Sequence, residues 1–397
     1  MTNDPGLLQL EIKAEVARIL NWWRFYAPDP VHGGFMGEID HNNKPDHTAD
    51  KGCVLNARIL WTFSAAYRAF GQEQDLVLAT RAFNYFSTNF YDKDYSGVYW
   101  TVKPNGEVRS DRKQIYAIAF AIYGLSEYFK VTGDQKALDM AITLYQVIEN
   151  YSRDFEHGGY LEAYSRDWRL IDDLRLSDKD RNDPKTMNTH LHIIEAYANL
   201  YLIWKEPHLR QAIKDLLDIF AHHILDTSNH LGLFFDKVWN KTSANISFGH
   251  DIEASWLLQE CAHVLQDPQI EKKWEQKAVL IANAASEGIQ SDGSLIHEYD
   301  PQSHHSDTHR EWWVSAESMV GYLNAFQLTK EDHYLQKVYR IWEFIKTHLL
   351  DSEHGEWFWG TQADLSKMNM YTMGLWKCPY HNVRACLEVI QRIDSIK

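Results

Sequence analysis

Apolar residues recur at helical spacing in twelve stretches of the chain, and ten of these stretches form five consecutive pairs. The first member of each pair is the more apolar, and residues 116–125 (YAIAFAIYGL) carry no charge. The second member has one apolar and one charged face, as in residues 209–225 (LRQAIKDLLDIFAHHIL). A largely apolar helix is buried, whereas an amphipathic helix covers a core with one face. The pattern therefore predicts five hairpins, each with an inner and an outer helix.

Two further helical stretches lie at opposite ends of the chain, at about residues 6–26 and 381–394. We expect them to pack side by side and to complete a sixth hairpin, which closes a ring. The sequence thus predicts an all-α fold, an (α/α)6 barrel of six helical hairpins, as a single domain over residues 1–397. An open α-solenoid is the alternative, but it needs terminal caps, and the sequence shows none.

A glycine-plus-aromatic segment, such as HGGYLEAY at residues 157–164, recurs six times along the chain. The anchoring glycines are Gly34, Gly97, Gly159, Gly232, Gly293 and Gly355. Each segment follows an outer helix and leads into an inner one, so all six gather at one end of the barrel. We expect short β-ribbons around a cavity mouth there, with glycine where the chain turns sharply. Reactive side chains at the starts of the inner helices would face one common pocket.

Composition argues against several classes of function. The net charge of −15 argues against a nucleic-acid partner or an anionic membrane surface. The N-terminus lacks the pattern of a signal peptide, and no apolar run approaches the roughly 18 residues of a transmembrane helix. The four cysteines have no CxxC spacing, which favours reduced thiols and a cytoplasmic protein. Fifteen tryptophans are more than packing requires, and indole faces stack well on sugar rings.

Polar residues occur near the start of every inner helix, where a purely structural ring would place leucine or alanine. They are Arg58, Tyr116, Asn188, His190, His192, His250, Glu253, Trp312, Trp313 and His381. Imidazole dominates this set. Because its ordinary pKa is about 6.5, it suits reversible proton transfer near neutral pH.

Other chemistries fit these residues less well. His190 and His192 are two apart, about 200° around a helix, so they cannot chelate one ion together, and we expect no metal. A glycosidase needs two opposed carboxylates, for which Glu253, Asp180 and Glu317 are candidates without a matched pair. A nicotinamide-dependent route would need a GxGxxG motif after a strand, and we find none.

Several segments resemble the N-acylglucosamine 2-epimerase superfamily, most of all its cellobiose 2-epimerase branch, whose relatives include mannose 2-epimerases. The most specific are NTHLH (188–192), GHDIEASWLL (249–258) and WKCPYHN (376–382). The resemblance runs from about residue 15 to the C-terminus. It implies an (α/α)6 barrel that epimerises C2 of a reducing-end aldose without a cofactor.

The resemblance also implies roles for individual residues. His250 and His381 match the general acid/base pair, with Glu253 as the carboxylate that supports His250. His192 and Arg58 match the groups that bind and polarise the O1/O5 side of the sugar. The matched substrate contacts are Tyr116, Asn188 and the aromatic walls Trp313 and Trp376, together with Asp180, a rim residue that can reach a second sugar. From its place at the start of an inner helix, His190 is expected to bind the substrate as well.

The sequence leaves the substrate open. A disaccharide such as cellobiose or lactose needs an open mouth, whereas a D-mannose/D-glucose 2-epimerase needs one subsite. A non-catalytic binding protein is the alternative from another class, against which the full catalytic set argues.

Overall fold

The structure is a computed structural model that describes residues 4–178 and 180–396, and the described residues contain twelve α-helices. The helices are α1 (Pro5–Tyr26), α2 (Cys53–Phe70), α3 (Glu73–Asn89), α4 (Ile115–Thr132), α5 (Gln135–Val147), α6 (Met187–Ile203), α7 (Pro207–Ile219), α8 (Phe248–His263), α9 (Pro268–Ala285), α10 (Trp312–Thr329), α11 (Asp332–Phe344) and α12 (Tyr380–Asp394). Helices α5, α7 and α11 each continue into a π-helical turn.

The even-numbered helices form a closed inner ring. Each of α2, α4, α6, α8 and α10 packs against the next even-numbered helix, and α12 packs back against α2. The outer helices α3, α5, α7, α9 and α11 each pack on the preceding inner helix, and α1 packs on α12. The (α/α)6 barrel and the inner and outer assignment are therefore confirmed.

The chain termini meet as predicted. Gln9 Nε2 donates to the carbonyl of Ile390 (2.9 Å) and to Asp394 Oδ1 (2.6 Å). Outer helix α1 also reaches the last ribbon, since Trp357 Nε1 donates to Glu15 Oε1 (2.6 Å). Hydrogen bonds between the two ends of the chain thus close the sixth hairpin.

The hydrophobic pattern explains the two layers. Every residue of α4 from Ile115 to Tyr128 is buried. In α7 the buried stripe is Leu209, Ala212, Ile213 and Leu216, at the i, i+3, i+4, i+7 spacing of one helical face. Among the residues described, no helix combines the length and the apolar character that a membrane span requires.

Short antiparallel strands surround the starts of the inner helices. They are β1 (Glu38–Ile39), β2 (Pro45–Asp46), β3 (Lys51–Gly52), β4 (Thr101–Val102), β5 (Val108–Ser110), β6 (Lys113–Gln114), β7 (Ala163–Tyr164), β8 (Lys185–Thr186), β9 (Phe234–Phe235), β10 (Ile246–Ser247), β11 (Glu298–Asp300), β12 (His305–Asp307), β13 (Arg310–Glu311) and β14 (Gly360–Thr361). The strand before an inner helix pairs with a strand of the next repeat, as β3 does with β4. A bridge between Ile39 and Met373 joins the last repeat to the first. The predicted ribbons thus tie neighbouring repeats together at the mouth.

The glycine-plus-aromatic segments contain these turns. Gly34 has φ 61° and Gly159 has φ 77°, and an added Cβ would come within 2.4 Å of a Tyr85 or Trp239 side-chain atom. Only glycine fits such positions without displacing the ring. The fourth segment differs, because there Asn229 takes the left-handed conformation (φ 68°) and Gly232 does not.

Buried lysine–aspartate pairs, here called staples, hold three of the turns. They are Lys51–Asp29 (2.7 Å), Lys113–Asp92 (2.7 Å) and Lys185–Asp154 (2.9 Å). Each aspartate also accepts main-chain N–H bonds from its own turn, as Asp29 Oδ1 does from Val31 and His32. Each lysine lies on the strand that leads into an inner helix, so a staple fixes where that helix begins.

Candidate active site

One side of the cavity mouth is a cluster around Arg58 on α2. Arg58 Nη2 donates to the hydroxyl of Tyr116 on α4 (2.8 Å), and the guanidinium lies 4.1 Å from the centre of the Phe120 ring. The ring of His192 on α6 meets Tyr116 edge-on, with centroids 5.1 Å apart. Trp376 packs on the other side of Tyr116 at 6.3 Å. The structure thus brings four of the expected residues together.

The opposite side is organised by Trp313 at the start of α10. Its ring lies 4.9 Å from that of His250 on α8 and 5.7 Å from that of His381 on α12. The indole N–H donates to Glu311 Oε2 (2.6 Å), which fixes the ring plane. Trp313 therefore holds the two imidazoles of the expected acid/base pair on one aromatic surface.

The Nδ1 atom of each imidazole has a protein partner. His192 Nδ1 donates to Glu195 Oε2 (2.8 Å), and His381 Nδ1 donates to Glu317 Oε1 (2.7 Å), because a carboxylate can only accept. His250 Nδ1 bonds to the Ser247 hydroxyl (2.8 Å). These bonds fix each ring orientation and leave Nε2 available for a ligand.

A single guanidinium links the carboxylates behind these histidines. Arg384 on α12 donates to Glu253 Oε1 (2.9 Å) and Glu317 Oε1 (2.7 Å), and it also binds Glu195 and the Tyr380 hydroxyl. All five side chains are buried. We refer to Arg384, Glu195, Glu253 and Glu317 as the carboxylate cluster.

The sequence reasoning missed Glu195 and Arg384 and considered Glu317 only as a glycosidase acid. The sequence does indicate them, because Glu195 and Arg384 each follow a site histidine by three residues and therefore lie on the same helical face. Charged residues on the face of an inner helix are costly to bury unless they are paired. That cost is a reason to look for their partners at the site.

The three imidazoles have lowered pKa values. Burial, followed by the charges of His297, His192 and His381, lowers the pKa of His250 to about 3. Burial, Arg58 and Arg384 bring the pKa of His381 well below its usual range, and burial lowers that of His192. All three are therefore neutral near pH 7, which is the form that can remove a proton.

His190 departs from the expectation of a sugar contact. Its Nδ1 donates to the Thr186 carbonyl (2.6 Å), and its Nε2 accepts from the main-chain N–H of Tyr160 (2.9 Å). The ring packs against Trp239 at 5.1 Å, and burial lowers its pKa to about 4. With both nitrogens bonded to the backbone, His190 joins α6 to the neighbouring ribbon and does not reach the cavity.

Glu253 also differs from its expected role as the support of His250. Its Oε1 lies 3.9 Å from His381 Nδ1 and accepts from Arg384. The attraction of a guanidinium directs this carboxylate toward α12, whereas His250 is held by Ser247. Glu253 thus belongs to the surroundings of the other histidine of the pair.

The outer part of the site is a cavity lined by Asp180, Asn188 and His250 among others. Asp180 Oδ2 accepts from the main-chain N–H (2.8 Å) and hydroxyl (2.9 Å) of Ser177, which shapes the rim loop. Asn188 Oδ1 and Arg58 Nε are buried atoms that find no hydrogen-bond partner among residues 4–178 and 180–396. A buried polar atom without a partner is costly, so both are suited to a ligand.

The described chain has one group of metal-type ligand atoms, formed by Glu253, Glu317 and His381, which lie within 4.8 Å of one another. The guanidinium of Arg384 donates to both of these carboxylates at 2.9 and 2.7 Å. A fixed positive charge therefore occupies the position between the acids that a cation would take.

Known proteins share the sequence and the fold of this chain. A family model described as N-acylglucosamine 2-epimerase (GlcNAc 2-epimerase) matches residues 33–385. A cellobiose 2-epimerase of Bacteroides fragilis is 48% identical over 387 residues, which cover 97% of this chain and 99% of that protein. The solved cellobiose 2-epimerase of Bacillus thermoamylovorans is similar with a TM-score of 0.94 and 39% identity, covering 98% of this chain and 100% of that one.

A solved D-mannose isomerase is more distant. It shares the fold with a TM-score of 0.85 at 21% identity, over 96% of this chain and 97% of that one. The matched family model and the relatives cover the barrel and the segments that carry the site histidines. The chain is a member of the N-acylglucosamine 2-epimerase family.

Proposed function

We propose that this protein reversibly epimerises C2 of the reducing-end aldose of cellobiose, giving 4-O-β-D-glucosyl-D-mannose, and also acts on lactose. The observation that carries the proposal is the pair His250 and His381, neutral imidazoles placed on one indole beside Arg58 and His192. The relatives with 35–48% identity are named cellobiose 2-epimerase, which supports the same chemistry.

The C2 proton becomes acidic only when C1 is an open-chain aldehyde whose oxygen is polarised. In the proposed first step His381 assists ring opening, in which the O1 hydroxyl proton is lost and O5 gains a proton. Arg58 and His192 then bind the aldehyde oxygen. When a neutral imidazole removes the C2 proton, these preorganised donors stabilise the enediolate oxygen, where the negative charge develops.

Inversion requires that the proton return to the other face of the planar C2. One imidazole acts as the neutral base, and the second imidazole shares the proton for the other face with the carboxylates behind it, so that one turnover exchanges the two states. A proton can be held near His381 Nδ1 because burial raises the pKa of Glu253 and Glu317, and the charge of Glu317 raises that of Glu253 further. In this scheme side chains fill every role, and no cofactor takes part.

The disaccharide preference rests on the rim. Asp180 and Asn188 line a cavity together with His250, and we propose that the second sugar ring binds there. A D-mannose/D-glucose 2-epimerase would keep the inner residues and would not need this rim. The identity to cellobiose 2-epimerases is also higher than the 22% identity to a D-mannose isomerase.

Two other functions fit the site less well. Glycosidase carboxylates stand on opposite sides of the scissile bond, roughly 5 Å or more apart, with a water or the substrate between them. Here Glu253 and Glu317 share the same Nη2 atom of Arg384, so they are adjacent and neutralised rather than opposed. A non-catalytic sugar-binding protein would not need three oriented imidazoles with lowered pKa values.

The test is incubation in deuterium oxide with cellobiose, lactose, glucose and mannose separately, followed by separation and NMR of the products. We expect epimerised disaccharide that carries deuterium at C2. Turnover of the monosaccharides alone would favour the mannose 2-epimerase alternative. Product without solvent deuterium would contradict the proton-transfer mechanism.

A further inference from the structure

His297 lies just before β11, next to Glu298, which lines the cavity. Its main-chain N–H donates to the carbonyl of His309 (3.2 Å), which holds the segment against the start of β13. Its ring meets Trp313 edge-on, with centroids 5.9 Å apart and planes at 89°. His250 packs on the same indole at 4.9 Å. One tryptophan therefore makes neighbours of two histidines from different repeats.

Three carboxylates surround His297. Its Nδ1 lies 3.6 Å from Asp307 Oδ2 on β12, and its Nε2 lies 3.8 Å from Glu298 Oε1 on β11. Glu311 on β13 is the third. Burial alone would lower the pKa of His297, but these acids raise it to about 9. The side chain is therefore an imidazolium at neutral pH.

Other titratable groups near His250 come from several elements. His192 on α6 and His381 on α12 face it as neutral imidazoles, and Glu298 on β11 lines the same cavity. On its own helix the adjacent Asp251 binds His230 (2.7 Å), and Glu253 follows one helical turn later. Ser247, the last residue of β10, bonds to His250 Nδ1. Arg175 and Arg181 line the same cavity together with Asp180 and Asp183. Of the imidazoles in the described chain that pack on the Trp313 indole, His297 is the one that is positively charged near pH 7.

We infer that His297 is a positioning residue for the proposed epimerisation: a cation held beside Trp313 by Asp307 and Glu298 that opposes protonation of His250, so that His250 can act as a base to lower pH. The inference rests on the proposed function, in which His250 is one member of the proton-transfer pair. Its physical basis is Coulomb repulsion, since protonating His250 would place a second positive charge next to the first.

The experiment compares wild type with His297→Asn, which removes the charge and keeps a polar side chain. His304→Asn is the control, because His304 lies near the tip of the same hairpin and asparagine tolerates its left-handed backbone (φ 55°). Two quantities are measured on the full chain. One is the NMR titration of 13C-labelled histidine rings without substrate, with His250 assigned by its loss in His250→Asn. The other is the pH profile of kcat/KM with cellobiose.

We expect His250 to begin titrating about 1 pH unit higher in His297→Asn than in wild type. The acidic limb of kcat/KM should move in the same direction, while activity at pH 8 stays close to wild type. His304→Asn should match wild type in both measurements. A purely structural role for His297 would instead lower kcat/KM at every pH without moving the limb.

An unchanged His250 titration in His297→Asn, or a rate profile that is only scaled down, would overturn the inference. If His297→Asn does not fold, Asp307→Asn tests the same point. Loss of that carboxylate should lower the titration midpoint of His297 by about 1 pH unit, and no change would again overturn it. The titrations need no substrate, so they test the inference even if the protein epimerises none of the sugars offered. The absence of epimerisation would count against the proposed function alone.

Discussion

Two groups of buried charges lie at the mouth of the barrel and differ in construction. A staple joins an aspartate in a turn to a lysine on the strand that leads into an inner helix. The arrangement occurs in three successive repeats. The carboxylate cluster joins one arginine to three glutamates from three different inner helices. It occurs once, and two of its glutamates bind imidazoles of the site. The staples position the helices, whereas the cluster positions the groups that we propose to act on the substrate.

The difference shows how a repeated fold acquires a site. A feature that recurs in successive repeats solves a problem that those repeats share, such as the sharp turn into an inner helix. A feature that breaks the repeat needs another reason. The Trp313 indole with its three histidines, the Arg58 cluster and the carboxylate cluster all break it. Substitutions in the staples should accordingly lower stability, whereas substitutions at the site should lower activity.

The largest expected effect is on the acid/base pair. His250→Asn and His381→Asn should each lower kcat/KM by about 10²–10⁴-fold, the usual contribution of one general acid or base. The melting temperature should change little, since both side chains border the cavity. Activity and thermal unfolding are measured on the same preparations. Full activity in either variant would exclude it from the pair.

A variant that keeps one histidine can still exchange the C2 proton of a single epimer with solvent. Deuterium appearing in cellobiose without conversion, or in the mannose-containing product alone, would show which face of C2 each imidazole serves. Equal labelling of both epimers by one variant would contradict the assignment of one histidine to each face.

Breaking a staple should affect stability and leave the chemistry intact. Lys51→Met leaves the buried carboxylate of Asp29 without its main partner, which costs about 3–5 kcal/mol of unfolding free energy. The control is Lys103→Met, which breaks an exposed pair with Glu107 and should leave stability almost unchanged. Urea unfolding measures both. A Lys51→Met protein that is as stable as Lys103→Met would show that the staples are not structural, and a large loss of kcat per folded molecule would link them to the site.

The pH dependence of activity tests whether the site histidines are as buried as the structure shows. The pKa values of His192, His250 and His381 are lowered by burial, so the neutral form is present above each lowered value and is lost only as the pH falls through it. We therefore expect kcat/KM to be nearly constant between pH 8 and 6.5 and to fall only at lower pH. An acidic limb centred near the ordinary histidine value of about 6.5 would show that the site is more solvated than its geometry implies.

The smallest effect is expected at the aromatic walls. Trp376 is half-buried against Trp100 and Tyr116, so Trp376→Ala should raise KM about tenfold, equivalent to about 1.4 kcal/mol, with little loss of stability. Trp313→Ala should also weaken sugar binding more than folding, with an additional loss of kcat because it orients both histidines. KM and melting temperature are measured for each. A collapse of stability with unchanged KM would make these rings part of the core.

The architecture could be predicted from the amino-acid sequence. Helical periodicity and the contrast between apolar and amphipathic stretches gave twelve helices in two layers, and the two unpaired helices at the chain ends required closure. The same reasoning placed Arg58, Tyr116, His192, His250 and His381 at one end. These inferences succeed because a period of 3.6 residues fixes which face of a helix a residue occupies, and burial fixes which face turns inward.

Which polar groups contact each other became clear from the folded arrangement of the helices. His190 and His192 are two residues apart, yet one bonds to a ribbon and the other to the site, because helix α6 presents them on nearly opposite faces. Glu195 and Arg384 bind each other across 189 residues, and Glu253 turns from His250 toward that arginine. Such pairings depend on how far each helix is rotated when the ring closes. Buried charges then select partners from any part of the chain, which local spacing does not encode.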